Sequence, residues 1–506
     1  MPDTPMPASA PLMLGVSGCR GIVGASLTPT VAAEFAGSFG GWLVQRRGGA
    51  HASAKPSVVL AADGRAGYHA MHAAALAGLL AAGCDVIDLG VAMTPTAGVM
   101  IDHLRADAGV VLTASHNPQE WNGLKFLLRD PNAATASAAA PDAATAAAII
   151  DRYKSGGARS LAPWNRLGTV RHDRTAHAVH VGLVLRAIDA LVQHAGVNPQ
   201  PTLTDRIRAA NFTVVVDSVN GAGRHPARLL LERLGCRVIA LGDDDTGLFW
   251  HTPEPTRDNL ASVAARAAEA RAALAFCQDP DADRLALLAA DGSYIGEEYT
   301  LALAARAVLE LGHNSSATTL AANLSTSRMI DDIAAAHNAR VARTPVGEAN
   351  VVSAMKTAAS PIGGEGNGGV IWPAVTYVRD SLGAMALTLA LMATTGKSIA
   401  DLAAEIPAYA IGKRKVDLPS KDAARPAVDA VARHYKARPS ARIDLQDGVR
   451  VDLTLEPAPG SSNPAGQAWV HVRASNTEPI MRLIAEAPTA AAARALLDEV
   501  GSVIHR

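Results

Sequence analysis

Short apolar runs alternate along most of the chain with Ala-rich stretches of helical period, which predicts strands and helices in turn. The run Val58-Val59-Leu60-Ala61-Ala62 ends on Asp63, a Gly/Arg turn and a helical stretch follow, and Gly83-Cys84-Asp85-Val86-Ile87-Asp88-Leu89-Gly90 closes the unit. A second copy runs from Phe212 to Asp217, through Asn220-Gly221-Ala222-Gly223-Arg224 and a helix, to Gly235-Cys236-Arg237-Val238-Ile239-Ala240-Leu241-Gly242. A fainter third runs from Thr318 to Asn323, through a helix around Arg328 to His337, to the segment Ala339 to Gly347. From the polar residue ending each first strand to the closing glycine is 27, 25 and 24 residues. A strand–helix–strand unit of that length requires a parallel pair with a right-handed crossover, so three α/β domains of similar build are expected.

The pattern changes near the end of the chain. Asp447-Gly448 lies between the alternations Ile443 to Leu445 and Val449 to Leu453, a hairpin signal. Strands at Ala468 to Arg473 and Met481 to Ala485 and a helix from Thr489 complete a smaller α+β domain with antiparallel strands. The expected fold is therefore three similar α/β domains with mixed sheets, over 1–170, 171–292 and 293–405, then an α+β domain over 406–506. The Ala/Ser/Pro-rich stretch Asn132 to Ala148 reads as an exposed insertion in the first domain, and Leu382 to Met392 as a buried helix too short for the ~20 residues of a membrane span.

Composition narrows the function. At 506 residues the chain exceeds the usual ~150 per domain several-fold. Lys+Arg 46 against Asp+Glu 47 leaves a net charge of -1, which excludes a chain-wide basic field for nucleic acid or an anionic membrane. Cys19, Cys84, Cys236 and Cys277 are far apart and form no CxxC pair, so neither a disulfide framework nor a zinc site is indicated and a reducing cytoplasm fits. Met1 to Pro11, with four prolines and no basic start, reads as a loose leader rather than a signal peptide.

Four loops carry candidate chemistry. Thr113-Ala114-Ser115-His116-Asn117-Pro118 follows the buried run Gly109 to Leu112, placing Ser115 at a strand's carboxyl end, where α/β sheets bind ligands; an Asn-Pro turn is the plainer reading. Trp121 to Lys125 returns a cation to the same neighbourhood. Asp279-Pro280-Asp281-Ala282-Asp283-Arg284 follows Leu274 to Cys277, and in an extended loop its alternating carboxylates share one side as hard ligands for Mg²⁺, with Arg284 beside them for a phosphate. The plainer reading is a solvated acidic turn, which fits Asp243-Asp244-Asp245. Gly363 to Gly369 has five glycines in seven residues, allowing close approach of backbone to a ligand, with Glu365 and Asn367 suited to sugar hydroxyls; a simple glycine-rich turn is the alternative. Arg473-Ala474-Ser475-Asn476-Thr477-Glu478-Pro479 offers an Arg fork, two hydroxyls and an amide to one anion, with Arg482 nearby, although Ser475 and Glu478 also have capping-box spacing.

In this order, one per domain, the four loops resemble those of the α-D-phosphohexomutase family, and the resemblance extends from Ser17-Gly18-Cys19-Arg20-Gly21 to Arg482. It implies three α/β domains and a smaller fourth around a central cleft. It also implies a phosphoserine at Ser115 and Mg²⁺ held by Asp279, Asp281, Asp283 and an oxygen on Ser115. Catalytic help would come from Arg20, Lys125 and His116. Substrate contacts would come from Arg284, Glu365, Asn367, Arg473, Ser475, Asn476, Thr477 and Arg482. The reaction implied interconverts hexose 6- and 1-phosphates through a bisphosphorylated sugar, with a sugar 1,6-bisphosphate as activator. Small sugar phosphates are the expected partners of a cytoplasmic monomer or homodimer, with no nucleic acid or membrane.

Many members have serine at the position of Asn367 and histidine at that of Gly369, so a histidine acid/base is missing there. The glycine-rich variant, with His251-Thr252-Pro253-Glu254-Pro255, looks most like a bacterial branch described as phosphoglucosamine mutases, and glucosamine phosphate is expected ahead of glucose or mannose phosphates. Two other classes fit less well. An Asp-nucleophile phosphatase of the haloacid dehalogenase type wants Thr or Val where this chain has Asp283, and a non-catalytic sugar-phosphate binder would lack turnover despite a full set of polar groups. The pairs His69/His72 and His177/His180 have helical spacing without a third ligand and read as exposed helix residues.

Overall fold

A computed structural model describes residues 11–505 apart from 49–53, 134, 158–160, 193–200, 313–316, 456–465 and 476–478. The N-terminal leader, apart from Pro11, lies outside this set. The architecture is three α/β domains followed by a smaller α+β domain. By packing, the chain divides into two compact units, one of residues 1–313 and 361–400, the other of 314–360 and 401–506.

In the first unit, Ser57–Ala62 pairs in parallel with Asp85–Val91 and with Ala108–Leu112, and Val170–His172 adds in parallel outside Asp85–Val91. Trp121–Leu128, Gly18–Ile22 and Met13–Gly15 extend the other side antiparallel, giving a seven-stranded mixed sheet. The central runs are buried almost throughout, as the unbroken apolar sequence requires of strands covered on both faces. The second sheet has Thr213–Asp217 at its centre, parallel to both Arg237–Leu241 and Leu274–Gln278, with Leu285–Ala289 antiparallel at the edge. In both sheets the parallel strands deliver their carboxyl ends to loops carrying the candidate residues. A hairpin of Gly363–Glu365 and Gly369–Ile371 precedes the helix Ser381–Thr395. That helix is buried along Ser381 to Met392, as its uniform apolarity predicts, and Asp380 caps it by accepting from Leu382 N and Gly383 N, both at 3.0 Å.

The second unit contains the parallel pair Thr319–Asn323 and Arg340–Thr344, with helices Met329–Ala336 and Glu348–Ala358. Its five-stranded antiparallel sheet has the order Ala410–Asp417, Ile480–Ala487, Gln467–Ala474, Val449–Thr454, Arg442–Asp444. The helices Ala424–Lys436 and Ala490–Ile504 cover one face around Val431, Tyr435, Val451, Val470 and Leu483. Within this unit Arg328 N donates to Glu486 (3.0 Å), Val346 N donates to Asp447 Oδ2 (3.0 Å) and Ser325 Oγ pairs with His471 Nδ1 (2.9 Å). Among the described residues no helix is long and apolar enough to cross a membrane.

Three expectations need correction. The stretch Asn132 to Ala148 is not a bare insertion: Ala138 and Ala139 are buried, and Asp142 caps a helix, Ala143–Lys154, that buries Ala146 and Ile149. Alanine-rich sequence is good helix former, and one covered stripe suffices to dock it. His180 is fully buried, not exposed, and its ring pairs with Thr96 Oγ1 (2.9 Å) and Asp380 Oδ2 (3.2 Å). His72, against Asp88 (2.9 Å), and His177 are half-buried, so among the four only His69 is exposed. Helical spacing places histidines on a face without telling what covers that face.

Candidate active site

Ser115 stands three residues past the strand Ala108–Leu112 with φ 52°, a left-handed conformation costly for a side-chain-bearing residue. Its surroundings enforce that conformation. Ser115 N donates to Thr113 Oγ1 (2.8 Å), Thr113 Oγ1 donates to Asp63 Oδ2 (2.7 Å), and Arg65 Nη2 donates to the Ser115 carbonyl (2.7 Å). Arg65, fully buried, also donates from Nε to Asp63 (2.9 Å) and from Nη1 to the Trp121 carbonyl (2.5 Å). Arg65→Met would leave the buried Asp63 carboxylate without its ion pair and should cost about 3–5 kcal/mol, read from the urea midpoint. Retention of full stability would show that the loop holds its shape without this frame.

The Ser115 hydroxyl donates to Asp279 Oδ2 at 2.9 Å. Asp279, Asp281 and Asp283 are completely buried, each with a carboxylate oxygen within 4.8 Å of the others. They converge through a turn, with Ala282 N donating to Asp279 O (2.9 Å) and Ala282 at φ 54°, rather than along the extended loop expected from their alternation. Antiparallel pairing of Leu274–Gln278 with Leu285–Ala289 forces the chain to reverse here. Thr94 Oγ1 (2.6 Å) and Lys125 Nζ (2.7 Å) donate to Asp281 Oδ2, and Lys125 Nζ (2.9 Å) and Arg379 Nη2 (2.6 Å) donate to Asp283 Oδ2. The other oxygens, Asp281 Oδ1 and Asp283 Oδ1, are buried with no hydrogen-bond partner among the described residues. Arg284 Nε stands 3.9 Å from Asp283 Oδ1, beyond hydrogen-bond distance, and buried carboxylate oxygens without a hydrogen bond in a cluster of hard ligands fit a divalent cation.

Electrostatics agree with that fit. Burial, then repulsion from Asp281 and Asp283, pushes the Asp279 carboxyl well above its ordinary range. Burial acts the same way on Asp283, but Arg379, Lys125 and Arg284 together outweigh it and hold that carboxyl well below. His116 Nδ1 lies 3.4 Å from Ser115 Oγ, and burial, followed by Arg284 and Arg20, pulls its imidazole down to about 2, so the ring is neutral at pH 7. Arg20 Nη1 donates to Asn117 Oδ1 (3.1 Å), and Arg284 N donates to Asp279 Oδ1 (3.1 Å).

In the hairpin turn, Gly369 N donates to Asn367 Oδ1 (3.3 Å), while the buried Glu365 pairs with Arg379 Nη1. The first unit thus gathers Ser115, His116, Arg20, Lys125, the three aspartates and Arg284, and joins Glu365 to them through Arg379. Arg65 and Arg379 were missed by sequence reasoning: Arg65 sits in what reads as an ordinary Gly/Arg turn, and no motif marks Arg379.

The second unit holds the other candidates. Arg473 forms an ion pair with Asp447 (3.1 Å), and Arg482 stands directly across from it on the neighbouring strand. Lys415 faces Arg482 in turn, so three cations form a row across three strands on the face opposite the core. Like charges in register repel, and an anion would relieve them. Lys415 was also missed, because only its charged neighbours Lys413 and Arg414 surround it in sequence and no motif marks it. Ser475 N donates to Ile480 O (2.9 Å), and the strand Ile480–Ala487 is the next described element; the capping-box spacing falls on Glu478, outside the described residues. Asn476, Thr477 and Glu478 lie outside the described residues.

Profiles of four domains match in order: "Phosphoglucomutase/phosphomannomutase, alpha/beta/alpha domain I" over residues 11–152, domain II over 189–292, domain III over 296–409, and the C-terminal domain over 414–502. A "Phosphoglucomutase/phosphomannomutase" of Thermococcus kodakarensis is 33% identical over 96% of this chain and 97% of its own. A "Probable phosphoglucosamine mutase" of Methanopyrus kandleri is 32% identical, covering 97% of both. Among solved structures, a phosphoglucomutase/phosphomannomutase family protein from Burkholderia thailandensis superposes with a TM-score of 0.74 at 24% identity, over 97% of this chain and 98% of that one.

Proposed function

Because the chain belongs to the phosphoglucomutase/phosphomannomutase family and is a phosphohexomutase, we propose that it interconverts hexose 6- and 1-phosphates by passing a phosphoryl group through Ser115. The observation that carries this reading is the strained, enforced Ser115 hydroxyl, 2.9 Å from a buried carboxylate cluster. In the forward half-reaction the bond from phosphorus to Ser115 Oγ breaks and a new one forms to a free sugar hydroxyl. The hydroxyl proton leaves the sugar, a proton returns to Oγ, and the product is a bisphosphorylated sugar. After that intermediate turns end for end, its other phosphate goes back to Ser115. A sugar 1,6-bisphosphate would rephosphorylate any Ser115 that has lost its group.

Asp279, Asp281 and Asp283, with an oxygen on Ser115, would hold Mg²⁺, which neutralises charge on the transferring phosphoryl group when bound. Lys125 and Arg20 would add positive charge around the same atoms, and Arg284 would meet the incoming phosphate. His116, neutral across the working range, is a hydrogen-bonding neighbour of Oγ rather than a proton store; Lys125 is the better candidate for moving the proton. Glu365 and Asn367 would address sugar hydroxyls. Arg473, Ser475, Asn476, Thr477, Arg482 and, from the row of cations, Lys415 would grip the phosphate that is not reacting. Four free, buried thiols suit a reducing cytoplasm.

For the sugar itself the reading is glucosamine phosphate, supported by the glycine-rich hairpin and the name of the Methanopyrus relative. The test is kcat/KM for glucosamine, glucose and mannose 6-phosphates with the phosphorylated enzyme. Glucosamine 6-phosphate should lead by about tenfold or more, the worth of one added hydrogen bond to a charged group. Equal values would defeat the substrate reading and leave the mutase intact.

A further inference from the structure

Arg379 is buried at 8% exposure between two carboxylates. Its Nη1 meets Glu365 Oε2 on the hairpin, and its Nη2 donates to Asp283 Oδ2 at 2.6 Å. The backbone carrying it is anchored on both sides. Val378 N donates to Thr376 Oγ1 (3.3 Å), Asp380 N donates to Val370 O (2.7 Å), and the Asp380 side chain caps the following helix while pairing with buried His180. The path of the Arg379 side chain crosses Gly369: a Cβ there would lie 2.2 Å from Arg379 Cδ and 3.0 Å from Cγ. Gly369 does not have the left-handed backbone that would itself demand glycine. It is space that excludes a side chain at 369, taken foremost by the arginine stem and, at 3.1 Å, by Asn367 Oδ1.

On Asp283, Lys125 and Arg379 both occupy Oδ2, leaving Oδ1 as the buried oxygen without a hydrogen bond. A planar guanidinium engaging two carboxylates fixes both, whereas an ammonium offers a point charge. We propose that Arg379 is a positioning residue of the mutase site, orienting Asp283 so that Oδ1 is presented to the cation and tying the sugar-facing Glu365 to the same frame, and that Gly369 is glycine to let it pass. This rests on the mutase reading above and adds to it a link between the metal loop and the sugar loop.

The test compares wild type, Arg379→Ala, Arg379→Lys, Gly369→Ala and the double variant Gly369→Ala/Arg379→Ala, with Asp281→Asn as a control lacking a ligand. Mn²⁺ affinity is measured by the loss of the free-ion EPR signal without sugar, then kcat and KM with Mg²⁺. Wild type should bind Mn²⁺ and Asp281→Asn should not. Arg379→Ala should bind about tenfold or more weakly, as expected when a partner that orients a ligand is lost, with a raised KM. Arg379→Lys should recover little. Gly369→Ala, which keeps every charged group, should reproduce much of the loss by displacing the arginine, and should add almost nothing in the Arg379→Ala background. If Arg379→Ala fails to fold, Gly369→Ala carries the test alone. Unchanged or tighter Mn²⁺ binding in the folded variants, or an equal Gly369→Ala penalty with and without Arg379, would overturn the link while leaving the mutase reading standing. Absence of Mn²⁺ binding by wild type would remove both.

Discussion

Ser115→Ala should lower mutase turnover by on the order of 10⁴-fold or more, the scale seen when a nucleophile is removed. The substitution is well suited to the question because the backbone does not depend on the hydroxyl. Arg65 holds the Ser115 carbonyl and Thr113 holds its amide, and alanine is no worse than serine at φ 52°. What disappears is the donor to Asp279 and the atom that carries the phosphoryl group. A folded variant with turnover within tenfold of wild type, measured in a coupled assay primed with glucose 1,6-bisphosphate, would mean that the phosphoryl group travels by another route.

Asp279→Asn should abolish Mg²⁺-dependent turnover, by on the order of 10³-fold, yet stabilise the metal-free protein. Burial and two neighbouring carboxylates raise the Asp279 pKa well above its ordinary value. Its contribution to stability is therefore fully present below about pH 4, the unfolded value, and is lost as pH rises through the raised folded value. Asparagine carries no such penalty, so in EDTA its advantage over wild type should grow as pH rises from about 4. Saturating Mg²⁺ works the other way: at a concentration 100-fold above Kd wild type gains about 2.7 kcal/mol and the variant gains nothing, so the gap between them moves toward wild type. Urea midpoints across pH, with EDTA and with Mg²⁺, read both effects. A variant less stable than wild type in EDTA at pH 8 would contradict the electrostatic account of the cluster.

Much of this site was legible because its parts are local. Ser115 and the three aspartates each follow a buried strand, and a parallel strand's carboxyl end is where an α/β sheet offers a ligand space. The repeat of strand, helix and closing glycine likewise revealed the parallel pairs, since a crossover of fixed length leaves a fixed spacing. What escaped notice depends on contacts between distant residues. Arg379 meets Asp283 across 96 positions and His180 meets Asp380 across 200, and neither has a periodic or turn signal to mark it. The trace Arg379 leaves in the sequence is the glycine at 369, whose missing side chain makes room for it. The edge strand Ala410–Asp417 was hidden by Lys413, Arg414 and Lys415: the two lysines lie on the open face, Arg414 on the face of Val416 reaches Asp498, and with only Val416 buried the alternation is obscured. The aspartates' alternation pointed to the right residues but the wrong backbone, because a tight turn can converge three carboxylates as well as an extended loop can.

The most direct measurement is phosphopeptide mass spectrometry of the wild-type protein after incubation with glucose 1,6-bisphosphate and Mg²⁺, with Ser115→Ala alongside. A single phosphate on the Ser115 peptide, removed on incubation with excess hexose monophosphate and absent from the variant, is the predicted result. Turnover by a protein whose Ser115 stays unmodified throughout, or whose phosphate maps to another residue, would contradict the account.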